Sequence, residues 1–163
     1  MSKTGLAPAN GPQPSNASGA FGGQLSNSQL GPGSTVYLPV LVEGGLLTIE
    51  DVHAKMGDGE IAGSAVEIAA EVTMRCGIAG ELKLGHPLIV TPKEVLTMGE
   101  GETVETAVRM ALDELAHLLM ERTGIDITEA AMLVSIAADL RISEMAGKPC
   151  HVRAAMAREI VGM

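Results

Sequence analysis

A glycine-rich loop in the first half of the chain concentrates the residue types that bind metal ions. It places four carboxylates and one histidine within eleven residues, namely Glu50, Asp51, His53, Asp58 and Glu60. Glycines flank Asp58 on both sides, and glycine permits tight backbone turns and close approach of a ligand. Histidine with aspartate or glutamate is a common ligand set for zinc and other divalent ions. The spacing matches no generic metal motif, so composition alone favours a solvated hairpin loop.

A second pair of carboxylates follows this loop, in a segment of regular alternation. Apolar side chains alternate with polar ones or alanine from Val66 to Cys76, which predicts a strand with one buried face. Glu67 and Glu71 fall on the same side of that strand. Alternation alone explains them as a solvent-facing row. The functional alternative is a pair facing a cleft, where it binds a cation or moves a proton.

The elements around these residues divide the chain into two parts. Residues 1–34 are rich in Gly, Pro, Ser and Asn, and such a segment buries too little apolar surface to offset its ordering entropy. We therefore expect an N-terminal arm that is mobile alone and can become ordered across a partner surface. Order should begin near Thr35, with a folded domain over residues 35–163. Within the domain, short strands are predicted at residues 35–42, 46–49, 80–84, 88–91 and 151–156.

Two helices are predicted in the second half. Apolar residues recur with helical spacing from Val104 to Arg122, Thr103 can cap the start, and Gly124 stands where a left-handed stop is expected. Asp126 begins a second helix with a capping-box pattern, and residues 139–142 should end it. Strands followed by a helix pair and a last strand predict an α+β fold, with the C-terminal helix pair packed on a β-rich antiparallel sheet or sandwich.

Composition excludes several classes of partner. The 163 residues carry a formal net charge of −9 and only 1% aromatic side chains, whereas nucleic-acid binding needs clustered Lys and Arg or stacking aromatics. No apolar stretch reaches the roughly eighteen residues that a membrane span requires. No basic start followed by an apolar run marks a secretory signal. We therefore expect a cytoplasmic protein without nucleic-acid or membrane partners.

Three longer segments carry a more specific pattern than composition. The first combines Gly-Ser-Thr-Val-Tyr-Leu-Pro-Val at 33–40 with Gly-Gly-Leu-Leu at 44–47. The second combines Asp-Val-His-Ala at 51–54 with Gly-Asp-Gly-Glu at 57–60 and Glu67. The third is Asp-Leu-Arg-Ile-Ser at 139–143. Together they resemble the acetamidase/formamidase family in order and spacing, over roughly residues 5–161. The second segment is long and specific, and its occurrence with the third argues against coincidence.

The resemblance implies a hydrolase that cleaves the C–N bond of small linear amides, such as formamide and acetamide, to ammonia and a carboxylic acid. It also implies a bound divalent metal, for which we expect zinc, with calcium as the alternative. The expected metal ligands are His53, Asp58 and Glu60, and the expected catalytic residues are Glu60, Asp58 and Glu67. A metal there would polarise the amide carbonyl or activate a water molecule, and Glu60 would carry its proton to the leaving amine.

The chain also departs from the family pattern. Typical members are about twice as long, and this chain matches their C-terminal half. The family's Gly-Gly-Asn-Met-Asp segment reads Gly-Gly-Gln-Leu-Ser at 22–26, so Ser26 replaces the acid, and Met56 stands where glutamine is usual. Two functions follow: an amidase completed by a second chain that supplies the N-terminal half, or a non-catalytic relative that serves as a binding or regulatory module. In either case we expect a homo-oligomer, at least a dimer.

Overall fold

A five-stranded antiparallel sheet forms the centre of the computed structural model, which describes residues 1–80 and 82–163. In spatial order its strands are β10 (Asp139–Glu144), β11 (Cys150–Ala157), β9 (Glu94–Gly101), β8 (Leu88–Val90) and β4 (Thr35–Tyr37). The two longest strands, β9 and β11, pair along their full length. The sequence analysis assigns no element to the residues of β9.

Two smaller antiparallel sheets lie around the glycine-rich loop. The first, in the order β2-β3-β1-β5, consists of β1 (Lys3–Gly5), β2 (Ser18–Gly19), β3 (Gly22–Gln24) and β5 (Thr48–Glu50). The second is the pair β6 (His53–Lys55) and β7 (Val66–Glu67). These sheets carry both ends of the loop that the sequence analysis singled out.

The predicted helix pair is present with the expected caps. The helices are α1 (Val104–Thr123), α2 (Ile127–Ala137) and the short α3 (Arg158–Val161). The Thr103 side chain caps α1, Gly124 ends it with φ of 75°, and Asp126 with Glu129 forms the capping box of α2. Among the described residues, none of these helices is long and apolar enough to cross a membrane.

The central sheet is buried on both faces. One face packs against the helices, in a core that includes Leu88, Val95, Leu115, Leu119 and Met156. The other face packs against the N-terminal segment, in a core formed by Leu25, Leu30, Ile89, Leu96, Met98 and Ala155. The predicted α+β class, a β-rich antiparallel fold with a helix pair toward the C-terminus, is confirmed by this arrangement.

The N-terminal arm has more structure than its composition predicts. Three strands precede residue 35, and Ser2 and Asn27 are fully buried. Leu25 and Leu30 supply the apolar contacts that hold the arm against the sheet. The expectation that order begins near Thr35 is therefore wrong, because a few leucines and backbone pairing suffice where a sheet face is available. The division into an arm of residues 1–34 and a domain of residues 35–163 stays a prediction.

Three other segments differ from their prediction. The alternating segment from residue 66 to 76 forms a strand only at Val66–Glu67, and the rest of it is exposed on both sides. Residues 139–142 belong to the strand β10 rather than to a helix end, because they pair with β11. The strand predicted over residues 80–84 is absent at residues 80 and 82–84, and Glu81 lies outside the described residues.

Candidate metal centre and buried carboxyl groups

A histidine and two carboxylates from neighbouring strands form the candidate metal centre. The pairing of β6 with β7 sets His53 opposite Glu67, and Asp51 lies just before β6. His53 Nε2 is 3.1 Å from Asp51 Oδ1 and 3.1 Å from Glu67 Oε1. One ligand atom from each of the three residues lies within 4.8 Å of the other two. One imidazole nitrogen with two carboxylate oxygens at this spacing is a donor set that fits a zinc ion.

The histidine of this centre is oriented through its other ring nitrogen. His53 Nδ1 lies 3.1 Å from the hydroxyl of Ser2, and the imidazole side chain is only 2% exposed. When Nδ1 donates to Ser2, Nε2 is unprotonated and faces both carboxylates, which is the tautomer that binds a metal. The other oxygen of Asp51, Oδ2, lies 3.8 Å from the Lys3 ammonium. The N-terminal arm therefore contributes directly to the site.

Asp58, a predicted ligand and catalytic residue, is engaged elsewhere. Its Oδ1 accepts hydrogen bonds from Arg153 at 2.6 Å and from Ser28 at 2.5 Å. Burial raises the pKa of Asp58, but the hydrogen bonds from Arg153 and Ser28 outweigh it and hold that pKa below its ordinary value. The carboxylate thus neutralises a guanidinium that is fully buried. Asp58 joins the arm and the loop to β11.

Glu60 is the buried carboxyl of the site. The residue is 7% exposed, and its Oε2 has no hydrogen-bond partner among the described residues. Burial raises the pKa of Glu60 above its ordinary value, and Glu144 adds to the rise against the lowering effects of Ser26 and His53. A carboxyl group in this state keeps its proton to higher pH and is suited to proton transfer.

Three further polar residues form a hydrogen-bonded cluster near Glu60, and the sequence analysis missed them as site residues. The Ser26 hydroxyl donates to Glu144 Oε2 at 2.7 Å, and the Gln24 amide donates to the Ser26 oxygen at 2.9 Å and to Glu144 Oε2 at 3.1 Å. Gln24 ends β3 and Ser26 follows it, whereas Glu144 ends β10, so only the fold brings them together. The available signal was the departure from the family pattern at Ser26.

The sequence-predicted residues therefore fall into four places. His53 and Glu67 lie together with Asp51, which the sequence analysis included in the loop but did not choose as a ligand. Glu60 lies close enough for the charge of His53 to lower its pKa. Asp58 is paired with Arg153, and Glu71 is exposed in the alternating segment. The catalytic and metal-binding roles of these residues stay predictions.

Comparison with protein families gives one match over most of the chain. The family model described as the acetamidase/formamidase family matches residues 17–161. The matched range contains His53, Glu60, Glu67 and Glu144, and it also contains Gln24 and Ser26 of the arm.

Solved structures of similar chains agree over nearly the whole chain. An acetamidase from Bacillus halodurans is 37% identical, with a TM-score of 0.92 over 97% of this chain and 54% of its own. A protein from Thermoanaerobacter tengcongensis, described as a predicted acetamidase/formamidase, is 31% identical, with a TM-score of 0.95 over 99% of this chain and 54% of its own. An acetamidase from Yersinia enterocolitica is 29% identical, with a TM-score of 0.89 and coverage of 99% and 49%. This chain spans about half the length of each of these relatives.

Proposed function

The chain belongs to the acetamidase/formamidase family, and on that premise we propose that it acts in the hydrolysis of small linear amides to ammonia and a carboxylic acid. The observation that carries the proposal is the position of Glu60. A buried carboxyl with a raised pKa and an unpartnered oxygen lies close to a histidine with two carboxylates. Amide hydrolysis requires a group that accepts a proton from water and one that donates a proton to the leaving nitrogen.

We propose Asp51, His53 and Glu67 as the residues that hold a divalent metal, with zinc as the first choice and calcium as the alternative. Their nitrogen and oxygen donors fit zinc, and Ser2 orients His53 for it. A bound metal supplies a Lewis acid toward the amide carbonyl and lowers the pKa of a water molecule. His53 is common to this set and to the sequence-predicted set, whereas Asp58 and Glu60 of that set remain predictions as ligands.

Glu60 is the residue that we propose for proton transfer. It takes a proton from the attacking water while the new C–O bond forms, and it gives that proton to the nitrogen as the C–N bond breaks. Burial supports this role, because a desolvated carboxyl keeps its proton to higher pH than an exposed one. Glu67, which is 54% exposed in its side chain, is better suited to a ligand than to this step.

A second candidate function is binding of a partner or a ligand without catalysis, as a non-catalytic relative of the family. The position of Met56 favours it, because its thioether lies 3.6 Å from the Ser2 hydroxyl that orients His53. A sulfur is a weak hydrogen-bond acceptor, so the environment of the histidine is less polar than a glutamine would make it. This function predicts metal binding without turnover.

Ammonia release from formamide and acetamide separates the two functions. We expect the purified chain with zinc, or with the polypeptide described below, to release ammonia, and a chelator to abolish release. Glu60→Gln should lower kcat by about a hundredfold or more, and His53→Ala should abolish zinc binding as well. Matched controls are Glu43→Gln and His117→Ala, since both residues are exposed and neither belongs to the candidate centre.

Full turnover by His53→Ala and Glu60→Gln would contradict the amidase assignment of these residues. Zinc binding by the wild-type protein, combined with no ammonia release under any of these conditions, would instead support the non-catalytic relative.

We also propose that an exposed apolar face receives a polypeptide equivalent to the remaining half of the relatives. Large apolar side chains lie exposed along one segment of the chain, at Ile61, Val66, Ile68, Val72, Met74 and Ile78. The relatives share this fold over 97% of the chain, yet 46% of the Bacillus halodurans acetamidase lies beyond the match, since 54% is covered. A row of apolar side chains with unpaired backbone is a surface for strand pairing.

A further inference from the structure

A small cavity lies beside the end of β9, and the proposed function gives it no role. Its volume is about 20 Å³, which is room for a molecule of the size of water. The polar part of its lining comes from Ser18, Gln24, His86, Glu100 and His151. None of these residues belongs to the candidate metal centre.

The side chain of Gln24 presents an unused acceptor to this cavity. Its Nε2 donates to Ser26 Oγ at 2.9 Å and to Glu144 Oε2 at 3.1 Å, which uses both N–H bonds of the amide. Gln24 lines the cavity whereas Ser26 and Glu144 do not, so we place Oε1 on the cavity side. Oε1 has no hydrogen-bond partner among the described residues, and Gln24 is only 7% exposed. A buried acceptor in this state calls for a donor.

The hydrogen bond from Ser18 defines which proton His151 carries. Ser18 donates its hydroxyl hydrogen to Glu100, because a carboxylate only accepts. His151 Nε2, which lies 2.8 Å from the same hydroxyl, therefore donates to it. Burial lowers the pKa of His151 against the opposing charges of Glu144 and Glu100, so the imidazole is neutral at neutral pH. Its Nδ1 is then a second buried acceptor without a donor among the described residues.

The carboxylate of Glu100 has no positively charged partner within this lining. Its side chain is 26% exposed, and its contacts there are the hydroxyl of Ser18 and the neutral imidazole of His151. His86 also lines the cavity, but its Nδ1 is 2.8 Å from Glu114 Oε1, and this hydrogen bond is the main cause of its raised pKa. The charge of His86 is thus matched by another carboxylate. Unused acceptors beside an unmatched negative charge favour a cation over water in the cavity.

We propose that this cavity binds ammonium, with Gln24 Oε1 and the Glu100 carboxylate as acceptors. The N–H bonds of ammonium supply the missing donors, and its charge neutralises Glu100. The choice of ammonium rests on the proposed amidase function, in which ammonia is the product, whereas the need for a small cation rests on the cavity alone. Among residues 1–80 and 82–163, the ligand spacing of a divalent metal occurs at the candidate metal centre and not here.

Titration of the purified chain with isotope-labelled ammonium chloride, followed by NMR at constant ionic strength, tests the site. We expect saturable binding to the wild type. Glu100→Gln keeps the shape of the side chain and removes its charge, so it should weaken binding by at least about tenfold. Glu102→Gln is the matched control, since Glu102 is exposed and does not line the cavity. Glu67→Gln should bind ammonium as the wild type does, which separates the cavity from the candidate metal centre.

A second variant tests the amide acceptor. Gln24→Leu should also weaken ammonium binding by at least about tenfold, because the hydrophobic side chain offers no oxygen. Gln13→Leu is its control, since Gln13 is exposed and lies outside the cavity. Thermal unfolding identifies a variant that does not fold, and if Gln24→Leu is one, Glu100→Gln carries the test.

The outcomes separate the site from the function on which the choice of ligand rests. A folded wild type that binds no ammonium overturns the proposal, because water alone then fills the cavity. Unchanged affinity in Glu100→Gln, equal affinity of the wild type for potassium, or loss of binding in Glu67→Gln also overturns it. Ammonia release is measured on the same preparation. Turnover without ammonium binding overturns the site alone, whereas binding without turnover supports the site and contradicts the amidase function.

Discussion

Ser2 links the N-terminal arm to the candidate metal centre through a single hydroxyl. It lies 3.1 Å from His53 Nδ1 and is fully buried. Loss of a residue that orients a metal-binding histidine commonly weakens metal affinity by about 10–100-fold. We therefore expect Ser2→Ala to weaken zinc binding by about tenfold or more, as measured by competition with a chromophoric chelator. Ser135→Ala on the exposed side of α2 should bind zinc as the wild type does; equal affinity of Ser2→Ala would remove Ser2 from the centre.

Glu60 should make the folded state less stable as the pH rises. Its pKa in the folded protein is raised by burial, so the folded state holds a proton that the unfolded chain has released. Stability therefore falls as the pH rises from about 4, where an ordinary glutamate ionises, up to the raised value. We expect Glu60→Gln in the presence of chelator to be more stable than the wild type at neutral pH, with the advantage vanishing in acid. Urea unfolding across pH measures it, and Glu43→Gln should show no such trend.

At the residue scale, sequence reasoning located the loop but not its internal pairing. Composition and the resemblance selected His53, Asp58, Glu60 and Glu67, and the fold brings His53 and Glu67 together. Asp58 differs because a fully buried arginine, Arg153, requires a carboxylate, and an unpaired buried charge is costly. Arg153 lies almost one hundred residues away in the chain, so no local pattern could have predicted this pairing.

The packing of α1 on β9 depends on the absence of a side chain at Gly99. A Cβ there would lie 2.1 Å from the Ala107 carbonyl oxygen and 2.6 Å from the Ala111 nitrogen. Both are backbone atoms of α1, so the helix would have to move as a unit. We expect Gly99→Ala to lower the free energy of unfolding by about 2–3 kcal/mol. Urea denaturation measures it.

Gly31→Ala provides the control for this substitution, because an added Cβ there meets no atom within 4 Å. Its free energy of unfolding should stay within about 0.5 kcal/mol of the wild type. Equal stabilities of the Gly99 and Gly31 variants would mean that α1 can shift away from the sheet at little cost.

At the element scale, prediction succeeded where the determinants are local. The caps Thr103, Gly124 and Asp126 define the start of both long helices and the end of α1 within one residue of the expected bounds. Strands were harder, because a strand is stabilised by partners that the sequence does not reveal. The alternation from Val66 to Cys76 is a strand pattern, yet beyond Glu67 the chain finds no partner strand among the described residues. The N-terminal arm shows the opposite error, because its composition predicts no order, yet Leu25 and Leu30 pack against a face of the central sheet.

At the scale of the whole molecule, the exposed apolar segment is the feature that bears on association. The alternating pattern predicts a buried strand face, whereas the structure leaves Ile68 52% exposed and Ile78 100% exposed. We expect an exposed apolar face of this kind to associate with another polypeptide. For the isolated chain, we propose a second copy as that polypeptide, and the expectation of at least a homodimer stays a prediction. In the presence of the missing half of a relative, that half should displace the copy.

Sedimentation velocity tests this face directly. We expect the isolated chain to sediment as a dimer or larger species. The dissociation constant of the double variant Ile68→Lys and Ile78→Lys should be at least about tenfold higher, which corresponds to about 1.4 kcal/mol. Ile136→Lys is the matched control, because Ile136 is 82% exposed on α2, outside this segment. Addition of the part of the Bacillus halodurans acetamidase that this chain does not match should convert the wild type to a mixed complex.

The pattern of association among these variants decides what the face is for. If the mixed complex forms and the double lysine variant prevents it, the segment is the surface that receives the equivalent of the relatives' remaining half. If the chain self-associates through the segment but rejects the added half, the homo-oligomer is the functional form. If Ile136→Lys dissociates the protein and the double variant does not, association uses α2, and the exposed segment has no part in it.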